Sequence, residues 1–363
     1  MSYRNTYIDI NLDNFIYNIN IFNKDKYLIA AIKANGYGLD DYFLANTLIE
    51  SNVLYLAVSS LDEAMSLINK GISGPIMILG YVDSRDIDII RKYDITLVTT
   101  SYKWVKDNCH LLDGIKIHIK INTGMNRLGL NSLLEINDSI KLLNKSNIEG
   151  IFTHLSSSDI IDSEDTNRQY QLFKDYLDNI DYQFKYIHIS NTDGYIINDD
   201  ICNTVRIGKG LLGLSSTIKG LKPVVSLYTH VVNCQYLKKG TKISYGGNYI
   251  LDKDSYVITL PIGYADGLNR KHTLHDVYID GEYGKIIGNI CMDLCMVMTD
   301  RPYDINQRVE LFGHNISIEE FACRIDTIVY EILVLLSQRL NRYYYKGNDK
   351  YELLYINKRD KYE

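Results

Sequence analysis

The sequence predicts an α/β protein in which a (β/α)8 barrel of the TIM type precedes a mainly β domain. Two observations carry this. Over the first 222 residues, eight short apolar, β-branched runs alternate with segments of helical periodicity. Parallel strands need crossover connections, and eight strands joined by helices suit a closed barrel. Beyond residue 222 most of the texture is of runs joined by Gly-containing turns, the pattern of strands linked by hairpins. An open, doubly wound sheet is the competing arrangement for the first part.

The eight runs are Tyr27–Lys33, Tyr55–Ser60, Pro75–Gly80, Ile95–Thr100, Lys116–Asn122, Glu149–Leu155, Phe184–Ser190 and Cys202–Gly208. Between them, "SLDEAMSLINKG" opens on a Ser/Asp cap and stops at Gly71. "NSLLEINDSIKLLNKSN" places Leu and Ile at i, i+3, i+4 spacing. The expected organisation is a strand within residues 1–12 (Tyr7–Leu12) that pairs with the C-terminal domain, a barrel over 13–222, and a mainly β domain over 223–363. In that last domain "VVSLYTHVVNCQYL", "KISYGGNYI", "SYVITLPIGYADG", "LHDVYID", "GKIIGNI", "CMVMTD" and "RVELFG" are expected strands. "TIVYEILVLLSQRL" is an expected helix.

Bulk properties narrow the function. The 363 residues are 46% hydrophobic and 23% charged, an ordinary globular composition. A net charge of −6 without a basic run argues against nucleic acid as a partner. No apolar stretch approaches the ~20 residues of a membrane helix. Met1–Asn5 lacks the apolar core of a signal peptide, so the expected location is the cytoplasm. Six cysteines include no CxxC pair; Cys291 and Cys295 are four apart with no His close by, so no metal is expected.

In a (β/α)8 barrel, chemistry gathers where strands end. Lys33 ends the first run. Lys120 and Asn122 end the fifth, with Arg127 just beyond. His154 ends the sixth, Ser190 and Asn191 the seventh, and Arg206 and Gly208 the eighth. A lysine at a barrel mouth, with no partner carboxylate near it in sequence, is an amine kept reactive by its surroundings. Such an amine forms a Schiff base with an aldehyde, and pyridoxal phosphate is the obvious one. Its phosphate needs donors near the last strands: the hydroxyls of Ser190 and Thr192 in "SNTDG", and the backbone N–H groups of Gly208 and Lys209 in "RIGKG".

The stretch "AAIKANGYG" closely resembles the pyridoxal-lysine motif of the alanine racemases, as do "KINTGMNRLGL", "THLSSSD", "HISNTDG", "VRIGKGLLG", "ISYGG", "PIGYADG", "GNICMD" and "YEILVLLSQR". All nine stand in the family's order and span nearly the whole chain. The resemblance implies pyridoxal 5′-phosphate as cofactor, an amino acid as substrate, and a head-to-tail homodimer with shared sites. It assigns Lys33 as cofactor lysine and base on one face of the substrate. Tyr245 of the other subunit is the base on the opposite face, aided by His154, which is tied to Arg206. Arg206 faces the pyridine nitrogen and keeps it unprotonated. Tyr37, Ser190, Thr192, Gly208 and Lys209 hold the phosphate. Arg127 meets the cofactor's phenolic oxygen and the substrate carboxylate, with Lys120 at the position the family often carbamylates. Tyr264, Met292 and Asp293, from the partner, line the entrance and bind the carboxylate.

Four positions depart from the family. Asn122 replaces Asp, Lys209 replaces an aliphatic residue, Leu212 replaces Tyr, and Gln338 replaces the Tyr of "SYR" that touches phosphate and substrate. The last leaves alanine and serine both open as substrates, because the serine racemases of vancomycin-resistance operons also carry an amide residue there. A fold-type III decarboxylase and a non-catalytic cofactor carrier are the remaining alternatives. The β domain bearing Tyr245 argues against a carrier; the lack of a glycine-cluster phosphate loop and of a catalytic cysteine near the C-terminus argues against a decarboxylase.

Overall fold

The computed structural model describes residues 5–197 and 200–353. The outermost parts of the expected domains, residues 1–4 and 354–363, lie outside the described residues. The chain divides into two compact units: residues 14–36 with 40–222, and residues 1–13 with 37–39 and 223–363.

The first unit is a closed barrel of eight parallel strands in chain order: β2 (Tyr27–Ala31), β3 (Tyr55–Val58), β4 (Ile76–Ile78), β5 (Thr96–Val98), β6 (Lys116–Lys120), β7 (Asn147–Phe152), β8 (Tyr186–His188) and β9 (Thr204–Ile207). β2 closes on β9 with Tyr27 opposite Thr204. Seven strands fall within the predicted runs, and β7 begins two residues earlier than its run. The capped helices form as expected. Ser60 accepts from the Glu63 N–H to open helix Leu61–Asn69, and Ser132 accepts from the Glu135 N–H to open Leu133–Leu142. Ile29, Tyr55, Ala57, Met77, Val98 and Phe152 pack as one buried cluster drawn from five of the strands.

One expectation is corrected. Lys33 does not sit in a strand: β2 stops at Ala31. The chain then makes a left-handed turn, with φ of 54° at Ala34, 53° at Asn35, 63° at Gly36, 56° at Tyr37 and 81° at Gly38. A left-handed backbone costs an ordinary L-residue roughly 1–2 kcal/mol. Specific hydrogen bonds offset it. The Ala34 N–H donates to Glu63 Oε1 (2.8 Å), and Glu63 Oε2 accepts from the Ser59 N–H (2.7 Å). The Gly36 N–H donates to the Ile32 carbonyl (2.9 Å) and the Asp40 N–H to the Asn35 carbonyl (3.0 Å).

The second unit is built on a ten-stranded sheet ordered β11-β14-β17-β16-β15-β18-β10-β1-β19-β20. Its strands are β1 (Tyr7–Asn11), β10 (Val225–His230), β11 (Asn233–Leu237), β14 (Ser255–Leu260), β15 (Asp276–Ile279), β16 (Glu282–Ile287), β17 (Cys295–Thr299), β18 (Arg308–Phe312), β19 (Asn341–Lys346) and β20 (Asp349–Leu353). β1 pairs antiparallel with β10 and parallel with β19, and it buries Ile8 and Ile10. A separate hairpin, β12 (Lys242–Ile243) and β13 (Tyr249–Ile250), carries Tyr245 on its loop. β19 and β20 escape the sequence reading because "RYYYKGNDKYELL" looks polar. Its consecutive tyrosines point to alternate faces, with Tyr344 buried and Tyr343 covered by neighbours: Tyr7 packs on Tyr343 (5.2 Å between centroids) and Tyr228 (5.7 Å), and Lys350 lies 3.8 Å over the Tyr343 ring.

Within this unit the guanidinium of fully buried Arg342 donates twice to the Gly38 carbonyl (2.6 and 3.0 Å). A Cβ on Gly38 would lie 2.4 Å from the Leu333 carbonyl oxygen, so the turn admits no side chain there. Tyr37 is buried, its ring 5.5 Å from that of Tyr330.

The same unit buries two histidines against helix Ile318–Cys323. His272 stacks on Phe321 at 4.0 Å, and His275 meets both rings edge-on. Burial pushes the His272 imidazole down to about 4 and that of His275 to about 3; Arg324 and Lys285 press the latter further, against the pull of Asp276. Both are neutral when folded. Below pH ~6.5 the unfolded chain binds protons that the folded chain refuses, so their contribution is complete above that pH and is lost as pH falls toward 4. Urea unfolding of this unit should therefore weaken between pH 7 and pH 4.5, by at most about 1.4 kcal/mol per pH unit for each histidine. The slope should flatten in His275→Leu; an unchanged slope would remove His275 from the account.

Candidate active site

The mouth of the barrel is organised around Arg206, a buried arginine on β9. Its guanidinium donates to His188 Nδ1 (2.6 Å), the Thr153 carbonyl (2.6 Å), His154 Nδ1 (3.2 Å) and the Ile189 carbonyl (3.2 Å). It lies 4.7 Å over the Phe152 ring. Every one of these partners is neutral. Burial pulls Arg206 down to about 9, which still leaves it charged at neutral pH.

An arginine only donates, and that fixes the imidazoles. His188 accepts at Nδ1, so its proton is on Nε2, which donates to His118 Nδ1 at 2.8 Å. His118 then carries its own proton on Nε2. His118 and His188 are fully buried. Burial and the Arg206 charge hold His188 and His154 well below the ordinary imidazole value, and His118 at about 3. Gly150 makes room for this row, since a Cβ there would lie 2.4 Å from His118 Nδ1. His154, accepting at Nδ1, is left with Nε2–H as a donor.

The other predicted residues of the barrel gather at the same rim. Lys33 is exposed at the edge, yet its amine is partly desolvated by the walls; this and the nearby Arg127 lower its pKa, while Glu63 raises it. Lys120, at the end of β6, is buried and brought to about 8 by desolvation, Arg127, Arg206 and Lys33. Arg127 itself is exposed. Ser190 and Thr192 are buried, and Thr192 Oγ1 accepts from the Gly210 N–H (3.1 Å). Gly208 precedes a 3₁₀ turn over Lys209–Leu212. The Lys209 ammonium pairs with Asp193 (2.5 Å), a buried carboxylate that also accepts from Ser215 Oγ (2.8 Å) and the Ser216 N–H (3.1 Å). Its side-chain charge is therefore directed to Asp193.

Asn122, the replacement for Asp, organises the loop that carries Arg127. Its carbonyl accepts from the N–H groups of Gly124 (3.2 Å) and Asn126 (2.9 Å), as a carboxylate would. Its amide also donates to Asn126 Oδ1 (3.0 Å) and Asn131 Oδ1 (2.9 Å), which a carboxylate cannot do. His188, His118 and Glu63 were not assigned from the sequence. His188 lay inside the quoted "HISNTDG"; nothing in the sequence singles out the other two, which act from within a strand and a helix.

The second unit holds the remaining predicted residues. Tyr245 is 75% exposed, and Tyr264, Met292, Asp293 and Gln338 are exposed as well. The loops bearing Tyr264 and Met292 form one body: the Tyr264 N–H donates to the Cys291 carbonyl and the Ala265 N–H to that of Met292, both at 3.0 Å. A Cβ on Gly263 would lie 2.3 Å from the Cys291 oxygen. Arg339, next to Gln338, bridges the buried Asp266 (2.7 Å) and Asp293 (2.5 Å). The Asp293 carboxylate, expected to meet substrate, is thus engaged by Arg339. The sequence reading missed Arg339, although it ends the quoted "LLSQR".

A family model of the alanine racemase N-terminal domain matches residues 10–216, and one of the C-terminal domain matches residues 224–344. The alanine racemase of a Staphylococcus epidermidis strain is 34% identical over 371 aligned positions, covering 96% of this chain and 97% of that protein. The crystal structure of alanine racemase from Bacillus anthracis with bound L-Ala-P superposes with a TM-score of 0.90 at 29% identity, over 98% of this chain and 99% of that one. Histidine racemase from Leuconostoc mesenteroides subsp. sake shares the fold, with a TM-score of 0.85 at 24% identity over 95% of this chain and 99% of that one. The chain belongs to the alanine racemase family.

The Lys209–Asp193 pair gives a direct test of where that charge goes. Lys209→Met should lower stability by about 3 kcal/mol in urea unfolding, since it leaves a buried carboxylate without its cation. Adding Asp193→Asn should restore most of the loss. A loss under about 0.5 kcal/mol in the single variant would mean that the ammonium does not serve Asp193.

Proposed function

We propose that this chain, as a member of the alanine racemase family, interconverts L- and D-alanine with pyridoxal 5′-phosphate held at the barrel mouth, and that it works as a homodimer whose subunits complete each other's sites. The observation that carries this is Arg206: a buried cation whose hydrogen bonds all go to carbonyls and neutral imidazoles. Lys120 feels Lys33, Arg127 and Arg206 across the same rim, and among the described residues Glu63 is the carboxylate that enters the balance at Lys33. That donor set fits an anionic pyridine aldehyde. Arg127 suits its phenolic oxygen, and the buried hydroxyls of Ser190 and Thr192 and the N–H groups of Gly208 and Lys209 suit the phosphate, as does Tyr37.

When bound, pyridoxal phosphate supplies the covalent attachment point and the conjugated ring that acidify the substrate's α-C–H. Lys33, its pKa lowered, holds the cofactor and moves a proton on one face of the substrate. Arg206 offers only N–H groups, so it would face the ring nitrogen without giving it a proton, and the weaker electron sink that results would favour proton return at the α-carbon over transamination. His154 donates from Nε2 and is held neutral by burial, so it supports a phenolate on Tyr245 without competing for the proton. Tyr245, exposed on its own chain, serves the opposite face of the partner's substrate. Lys120 has a share of neutral amine at pH 7; taking up CO₂ with release of a proton would give it a negative charge beside Arg127. Arg127 and the backbone N–H of Met292 suit the substrate carboxylate, and Tyr264 suits the entrance. In the cell the D-alanine would serve peptidoglycan.

A second reading, serine or dual alanine/serine racemisation, rests on Gln338. It is smaller than Tyr, carries a donor and an acceptor, and is exposed beside the rigid Arg339 bridge. A site that hydrogen-bonds a hydroxyl discriminates for it.

Three outcomes test the proposal. Borohydride treatment should fix the cofactor to Lys33, located by peptide mapping; label on another lysine would refute the assignment. Tyr245→Phe should lower kcat by roughly 10²–10⁴, and mixing Tyr245→Phe with Lys33→Ala chains should restore activity through one intact site per mixed dimer. Subunit exchange without recovered activity would end the shared-site model. With L-alanine and L-serine assayed side by side, Gln338→Tyr should lower the serine-to-alanine ratio of kcat/KM; a constant ratio would show that Gln338 does not set specificity.

A further inference from the structure

Tyr245 stands on a backbone that is poorly able to hold itself. Ser244 before it has φ of 62°, in the left-handed region that disfavours side chains. Gly246 and Gly247 after it have φ of 76° and 59°. The Tyr245 side chain is 75% exposed on its own chain, which holds it through the main chain of the turn. One neighbouring residue meets this turn twice, its side-chain amide on the Tyr245 main chain and its backbone carbonyl on the Ser244 hydroxyl. Asn289 Nδ2 donates to the Tyr245 carbonyl at 2.7 Å. The Asn289 carbonyl accepts from Ser244 Oγ at 2.5 Å. Asn289 is itself held, since its Oδ1 accepts from Arg270 Nη2 at 3.3 Å.

The local sequence is built for this approach. Gly288 has φ of 68°, and a Cβ there would lie 3.0 Å from Ile243 Cγ2, the Ile243 carbonyl and Ser244 Cβ. Thr273 Oγ1 donates to the Gly288 carbonyl at 3.1 Å and so ties the segment to the turn that carries Arg270. The Asn289 amide serves two neighbours at once. It donates to a carbonyl while accepting from an arginine, and both groups are oriented by a single rotamer.

We propose that Asn289 is a positioning residue for proton transfer by Tyr245: it fixes the strained Ser244–Tyr245 turn so that the phenol is delivered in one orientation. This rests on the reading of Tyr245 as a base, and it adds a residue that acts only through Tyr245. A phenol misplaced by an ångström loses much of its rate while substrate affinity, set elsewhere, is kept.

The sharp variant is Asn289→Asp in the full-length holoenzyme. A carboxylate has nearly the same shape and still accepts from Arg270, but it cannot donate to the Tyr245 carbonyl. We expect kcat to fall about 10- to 100-fold with KM changed less than about threefold. The primary isotope effect from α-deuterated alanine should rise for the enantiomer whose proton Tyr245 takes, and stay put for the enantiomer served by Lys33. Asn289→Ala should behave alike, which guards against an effect of the added charge. The deciding measurement is the double variant Tyr245→Phe/Asn289→Asp. If Asn289 works through Tyr245, the double variant is as slow as Tyr245→Phe alone. Multiplied losses, or an isotope effect that rises equally for both enantiomers, would overturn the proposal, as would Asn289→Asp and Asn289→Ala turning over within twofold of the parent. Failure of the underlying reading looks different: Tyr245→Phe would then keep its full rate whatever residue stands at 289.

Discussion

The site depends on one electrostatic constraint: Arg206 is buried without a carboxylate among its hydrogen-bond partners. A buried cation of this kind is ordinarily costly. Here the cost is met by carbonyl oxygens, two imidazole nitrogens and the face of Phe152. Because an arginine can only donate, the constraint spreads. It sets the tautomer of His188, which sets that of His118, and it sets His154 with its remaining proton pointing away. A carboxylate in place of the imidazoles would neutralise Arg206. Imidazoles held neutral by burial satisfy its geometry and leave its charge for a ligand.

A second constraint is local strain. Five consecutive residues of positive φ follow Ile32 and Lys33, and another strained turn carries Tyr245. Each turn has its own backbone hydrogen bonds, and each is also held by groups far along the chain. Glu63 secures the start of the first turn, and Arg342 takes the Gly38 carbonyl. Asn289 secures the second.

The C-terminal unit shows the same economy around the residues assigned to the entrance. Gly263 lets two loops approach to backbone contact, and Arg339 locks them through two carboxylates. Asp293 therefore acts on the loop it belongs to. The four departures from the family's pattern separate on inspection. Asn122 is accommodated by Asn126 and Asn131, and Lys209 by Asp193. Leu212 is buried, and nothing in the structure explains its choice over Tyr. Gln338 remains at the surface of its unit, where it can bear on specificity.

Much of this protein was legible in its sequence, for physical reasons. Alternating β-branched runs and capped helices specify the barrel because period and capping are local, and the strand-end positions of Lys120, His154 and Arg206 follow from the barrel alone. The Gly-rich motifs mark turns because only glycine tolerates the approach seen at Gly38 and Gly263. What the sequence could not show is whatever depends on partners distant in the chain. Lys33 lies beyond its strand because Glu63 stabilises a left-handed turn that local propensity opposes. His118 and His188 look like ordinary strand residues until the barrel closes and stacks them behind Arg206. β19 looks polar because Tyr343 is covered only once Tyr7 of β1 lies alongside. Tertiary structure decided these points, since strain, tautomer and cross-strand packing are each set by an atom that the neighbouring residues do not supply.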